Sequence, residues 1–351
     1  MIRNALAETA LTVAIVALMV AVVLVPLALT QADPVGLVRT FLLGPFESIR
    51  HTGNIVELAT PSMFCGLGVA LILRAGMFNL GVEGAFFLGG LATVAATFVL
   101  PLPGLLLIPV SLLIGAVVGS SVCAIPGALR ARYGASELVS SLMLNFAALF
   151  IGLYFLNVLL RDPAAGAMVS YKIPDIAKLP RLVQGTRIHL GTLVALFACA
   201  MGALYLFRTA SGFESRIVGA NPHFAAHLGL NVTRIALQAQ VIGGLLAALG
   251  GGIEMLGLYQ RFSWQALPGN GWTGVTVAIL ARDHPALVVP AALFLGWLQV
   301  GGDLVARNFD VPNEAVGLIQ ALLLVAVTAA ALTRNPRLLR AFGARPLGVA
   351  R

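Results

Sequence analysis

Long apolar runs alternate with short polar breaks along this chain, and the run lengths predict what each becomes. No charge occurs from Thr9 to Ala32. A helix needs about 20 apolar residues to cross a hydrocarbon core, whereas the apolar heart of a secretory leader is only about 7–15 residues. A retained first transmembrane helix over 8–30 is therefore predicted. A second run covers 55–73, and then no charge appears between Glu83 and Arg130. That stretch is too long for one crossing, and "PLPG" at 101–104 divides it in two. Runs at 136–160, 189–207 and 235–257 follow. Segment 271–280 is short enough to span only in part, and 284–302 and 313–333 bring the expected number to about ten. Lipid offers no partner to backbone N–H and C=O groups, so each crossing must be helical.

Composition agrees with this pattern. The chain has 351 residues, 59% hydrophobic and 10% charged, against about 25% charged in soluble domains. Its net charge of +8 then marks loops facing the cytoplasm rather than an affinity for nucleic acid. With the N-terminus inside, thirteen of the 22 basic residues are cytoplasmic, and five of the other nine lie in the 161–188 loop. Both termini inside fits an even number of crossings, and the basic tail 334–351 suits an anionic inner leaflet. Cys65, Cys123 and Cys199 lie far apart in apolar runs and read as buried structural thiols.

Several polar or glycine-rich stretches interrupt the apolar background. "RAGMFNLGVEGAF" (74–86) carries Asn79 and Glu83 among three glycines. Such a seam either lines or gates a solvated path, or it clamps irregular backbone to neighbouring helices. Asn145, Gln240 and Glu254 are further pathway candidates, with interhelical bonding the alternative. Ser140 and Ser141 are small enough to bond their own backbone. "GAVVG" at 115–119 reads as close helix packing. In "YQRFSWQALPGNGWTGV" (259–275), Trp264 and Trp272 read as interface anchors. Gly269, Asn270 and Gly271 read either as the start of a half-helix facing a cavity or as a plain loop. The segments 55–160 and 235–333 each place a glycine-interrupted piece after a long helix, which suggests two related halves.

The loop 209–234 holds a short helix. Asn221 suits its N-cap, Pro222 its first position and Gly229 its stop. Phe224, Ala225 and Leu228 share one side. Two turns are unstable alone, so this element is expected to dock into a partner. His223 and His227 are four apart but lack a third ligand, so no metal site is expected.

"AGMFNLGVEGAFFLGG", "ELVSSLMLNFAALFIGLYFLN", "GANPHFAAHLGLNV" and "GNGWTGVTVAIL" resemble, in the same order, permease subunits of ATP-binding-cassette importers. The group is the one serving branched-chain amino acids, simple sugars and nucleosides, and "FNLGVEG" with "LMLN" is most similar to its nucleoside branch. The resemblance runs from about 55 to 333. It implies an all-α polytopic membrane protein, one permease domain over 1–351. It also implies that Gly219, Ala220, Asn221, Pro222, Phe224, Ala225, Ala226 and Gly229 form the coupling element for a cytoplasmic ATPase. Asn79, Glu83, Asn145, Gln240, Glu254 and Trp272 are then the pathway candidates. The implied partners are that ATPase, a second permease, an extracytoplasmic solute-binding protein, membrane lipid and a small neutral solute. The implied location is a bacterial-type plasma (inner) membrane. The sequence has no G-x-x-x-x-G-K-[ST] loop, so ATP binding and hydrolysis fall to the partner and no cofactor is expected here. An ion-coupled secondary transporter is the rival, and it would need coupling carboxylates near midplane. An intramembrane enzyme lacks any supporting motif.

Overall fold

The computed structural model describes residues 33–309, with isolated positions (21, 29, 317, 318 and 321) on either side. The predicted spans 8–30 and 313–333 and the basic tail 334–351 lie outside the described residues. The helices are α1 (Pro34–Leu43), α2 (Ile49–Arg74), α3 (Val82–Val99), α4 (Gly104–Tyr133), α5 (Glu137–Phe155, continued by a π turn at Leu156–Leu160) and α6 (Leu190–Arg208). They continue as α7 (Ala210–Ala220), α8 (Pro222–His227), α9 (Val232–Leu258), α10 (Asn270–Leu280) and α11 (Pro285–Asn308). Among the described residues, extended pairing is limited to two isolated bridges, Arg161 with Ser170 and Arg181 with His189.

Seven of these helices are long and apolar enough to cross a membrane: α2, α3, α4, α5 with its π turn, α6, α9 and α11. The predicted break at 101–104 falls between α3 and α4, where the non-helical residues are 100–103 and Gly104 already opens α4. Helix α10 has 11 residues, about 16 Å, roughly half a hydrocarbon core.

Two compact units divide the chain. One comprises Met1–Thr52 with Trp297–Arg351, the other Gly53–Gly296. In the first, Phe41 of α1 is buried and meets the Trp297 ring edge-on at 5.7 Å. Trp297 Nε1 donates to the Leu42 carbonyl at 3.3 Å. In the second unit, α2, α3 and α9 form the interior. The apolar window of α2 is 89% buried, whereas that of α5 is only 22% buried. Small residues let these backbones touch. A Cβ at Gly119 would meet the Ala85 carbonyl at 2.5 Å, and one at Gly68 would meet Gly243 O at the same distance. The 115–119 motif is thus packing, as its small-residue spacing predicts.

Segment 161–189 is tied by backbone to the chain leaving α9. Ser170 N donates to Phe262 O, Ile173 N to Gln260 O and Leu179 N to Leu256 O, at 2.9–3.0 Å. Arg261 bonds Asp162 at 2.6 Å across the same join. Residues 259–269 then run back into the unit. Phe262 and Trp264 pack on α3, with the Trp264 ring stacked on Phe86 at 5.4 Å. Trp264 is therefore a core residue and not the interface anchor its sequence suggests. The cause is that its segment re-enters the bundle, which aromatic content alone does not reveal.

Candidate functional site

The seam starts with a helix stop. Gly76 has φ +75°, its N–H reaches Leu73 O at 2.9 Å, and the Met77 N–H reaches Ile72 O at 3.2 Å. These two bonds close α2 in a glycine-dependent motif that satisfies its last carbonyls. Irregular backbone follows to Gly81, so the seam is shorter than 74–86, because Val82–Phe86 already belong to α3.

Side chains from three helices secure this break. Asn79 is 3% exposed. Its Oδ1 accepts from Gly81 N at 2.7 Å, and its Nδ2 donates to Cys123 O at 2.9 Å and to Gln240 Oε1 at 2.8 Å. Leu80 N donates to Ser141 Oγ at 3.1 Å. Asn145 Nδ2 donates to Leu80 O, and its Oδ1 accepts from Gly84 N, both at 2.9 Å. Gln240 Nε2 passes the chain on to Glu137 Oε1 at 2.7 Å, and Glu137 Oε2 accepts from Arg130 at 2.8 Å. Buried polar groups are expensive unless paired, and here the amide side chains of Asn79, Asn145 and Gln240 each have both nitrogen and oxygen engaged. Glu137, Arg130 and Ser141 belong to this network although the sequence singled out none of them for it. The available signal was a carboxylate opening an apolar helix a short distance from an arginine.

Glu83, also buried, faces another element. Its Oε1 accepts from Gly269 N and its Oε2 from Gly271 N, each at 2.6 Å. The amides opening α10 thus meet a carboxylate and not a cavity. Glu254 lies on the far side of the same turn, where Oε2 accepts from Asn270 Nδ2 at 3.0 Å. Trp272, next along α10, is half exposed. Of the six pathway candidates, the structure joins Asn79 directly to Gln240, sets Asn145 on the same seam, and gathers Glu83, Glu254 and Trp272 at the start of α10. In this arrangement Asn79, Glu83, Asn145 and Gln240 bond protein groups.

The loop 209–234 folds as its residues dictate. Thr209 caps α7 by accepting from Gly212 N at 3.1 Å. Asn221 Oδ1 caps α8 by accepting from Phe224 N at 3.0 Å, with Pro222 at the first position. Gly229, at φ +80°, ends it. There the Gly229 N–H reaches Ala226 O and the Leu230 N–H reaches Ala225 O. Ala225 is fully buried against Val218 and Ile235. Phe224 and Leu228 point outward, each 55% exposed, so the expected single apolar side divides into one inward and two outward residues. His227 Nδ1 engages His223 O at 2.8 Å. The loop also touches the seam: a Cβ at Gly76 would meet Gly219 Cα at 3.0 Å. A cavity of about 240 Å³ lies beside this contact, lined by Gly76, Met77, Arg130, Glu137, Gly219 and Pro222 among others.

Residues 52–328 match the family described as branched-chain amino acid transport system, permease component. The chain belongs to this permease family. The match takes in the seam, α7, α8 and α10 together. A curated relative, the glucose ABC transporter permease protein TsgB13 of Haloferax volcanii, is 33% identical over 311 residues, covering 86% of this permease and 82% of the relative. The guanosine ABC transporter permease protein NupP of Bacillus subtilis is 31% identical over 287 residues, with 81% and 82% covered. The nucleoside ABC transporter permease protein NupB of Lactococcus lactis subsp. cremoris is 28% identical over 305 residues, with 83% of each chain covered. The ABC-type permease that the sequence motifs resemble is thus the family found.

Proposed function

We propose that this chain is the membrane subunit of an ABC importer that carries a small neutral polar solute, a nucleoside or a simple sugar, across a bacterial-type inner membrane. A separate cytoplasmic ATPase drives it, a second permease completes the pathway, and an extracytoplasmic binding protein delivers solute. The observation carrying this reading is α8: a capped two-turn helix whose Ala225 anchors it while Phe224 and Leu228 face outward. A helix so short persists only when docked, and its outward apolar pair suits a groove on a motor subunit. Relatives named for glucose, guanosine and nucleoside transport support the solute class. So does the sparse, largely neutral set of buried polar groups. On this reading α7–α8 lie on the cytoplasmic face and 161–189 on the outer face. Asn79, Glu83, Asn145 and Gln240 shape the wall of the path, and Glu254 and Trp272 stand toward its outer half.

The test is uptake of a radiolabelled nucleoside and a radiolabelled sugar, guanosine and glucose, into proteoliposomes holding the chain with its ATPase and binding protein. Uptake is expected to require ATP inside and to survive proton and sodium ionophores. Uptake that collapses with an ion gradient and ignores ATP would establish a secondary transporter instead. Phe224→Ala is expected to weaken ATPase capture roughly 30-fold, the effect of losing about 2 kcal/mol at an interface anchor, with the thermal midpoint of the chain unchanged.

A further inference from the structure

The start of α10 is an unusual place for a helix to begin. Gly274 packs on Cys65, near the middle of α2, so the first amides of α10 lie far from either end of the bundle. Free N–H groups are heavily penalised there. The carboxylate that satisfies them comes from the first turn of α3, and both of its oxygens are used, one on Gly269 and one on Gly271. The two first turns also touch, because a Cβ at Gly271 would sit 2.6 Å from Glu83 Cα. A negative charge at a helix start is favourable, and in this apolar setting it is screened little.

Glu83 lies just beyond the seam, whose other end rests on Gly219 of the 209–234 loop. Between these ends, Leu80 is bonded by Ser141 and Asn145, and Asn79 by Gln240, while Asn145 also holds Gly84 just past Glu83. Residues 76–83 therefore form a short strut from α7 to α10. Close-packed elements pass displacement on and do not absorb it.

The geometry points to Glu83 as the positioning residue for transport: it fixes the start of half-helix α10, and motion of the 209–234 loop, carried by residues 76–83, draws it off the Gly269 and Gly271 amides so that α10 shifts. This rests on the permease reading of that loop. Glu83→Gln replaces one acceptor oxygen by a donor that faces N–H groups, so α10 loses its hold in the resting state.

The experiment uses the complex with its ATPase in lipid, resting or trapped with vanadate and ATP. It compares wild type, Glu83→Gln and Glu83→Asp. Hydrogen exchange is read at the amides of 269–272, and guanosine uptake per ATP hydrolysed is read in the same vesicles. In wild type, exchange there should rise on trapping. In Glu83→Gln it should be fast in both states, and uptake per ATP should fall about tenfold, as for loss of one charge-assisted bond, while ATP hydrolysis continues. Glu83→Asp keeps the charge and should recover part of the trapping response. Exchange in Glu83→Gln that still responds to trapping, or uptake per ATP that stays at the wild-type value, overturns the inference. If Glu83→Gln does not fold, Gly271→Ala forces the two turns apart with the carboxylate intact. It should give the same loss of trapping response, and an unchanged response overturns the inference equally. A wild-type complex that hydrolyses ATP but takes up neither guanosine nor glucose sinks the transport reading, and the trapping-dependent exchange then still decides the role of Glu83.

Discussion

Asn145 pairs two backbone atoms, Leu80 O and Gly84 N, on either side of the point where α3 begins. It is almost fully buried, so no water stands ready to replace it. Asn145→Ala is expected to cost about 2–4 kcal/mol, since two buried backbone groups lose their partner at once. Thermal unfolding of the purified variant in lipid measures this, and Asn145→Asp, which keeps the acceptor and loses the donor, should fall between the two. The identity of such residues was visible in the sequence as polar letters within apolar runs. Their partners were not. Asn79 and Gln240 are 161 residues apart and Glu83 and Gly271 are 188 apart, and local periodicity carries no information at that range. The choice between lining a path and clamping a break was open for the same reason, because it depends on what lies opposite.

At the scale of elements, helix stops and starts were the legible part. Gly76 and Gly229 end α2 and α8 with the same pair of carbonyl-satisfying bonds, and Asn221 with Pro222 opens α8 as capping chemistry requires. Less legible was the loop 161–189, which composition presents only as a basic connection and which the structure ties to 256–262. Its Asp162 carboxyl is held below the usual carboxylate range, chiefly by the hydrogen bond from Arg261 and then by the Ala164 N–H. A carboxyl lowered in this way adds stability above its unfolded value of about 3.9 and loses it as pH falls through the lower folded value. Asp162→Asn should therefore lower the thermal midpoint at neutral pH, and the gap to wild type should close in acid. A gap that stays constant across that range would show that the pairing with Arg261 contributes no titratable stability.

At the largest scale, within the Gly53–Gly296 unit, the uneven burial of the spans separates an interior from a periphery. Met143, Phe146, Phe150 and Tyr154 project from α5, while the apolar side chains in the middle of α2 are covered. A carbene-generating probe dissolved in the bilayer is expected to label α5 and to spare α2, with mass spectrometry locating the adducts; labelling of α2 would contradict the packing. Hydropathy could not rank them this way, since α2 and α5 have nearly the same mean hydropathy, 1.8 and 2.0. The half-length of α10 has a further consequence, for biogenesis. Its 11 residues are too few for the insertion machinery to retain as an independent span. It must be laid into place after its neighbours have entered the bilayer, so that Cys65, Glu83 and Glu254 are waiting when Gly274, Gly271 and Asn270 arrive. Folding of this region is then a late, post-insertional step, and errors in the earlier helices would surface there first.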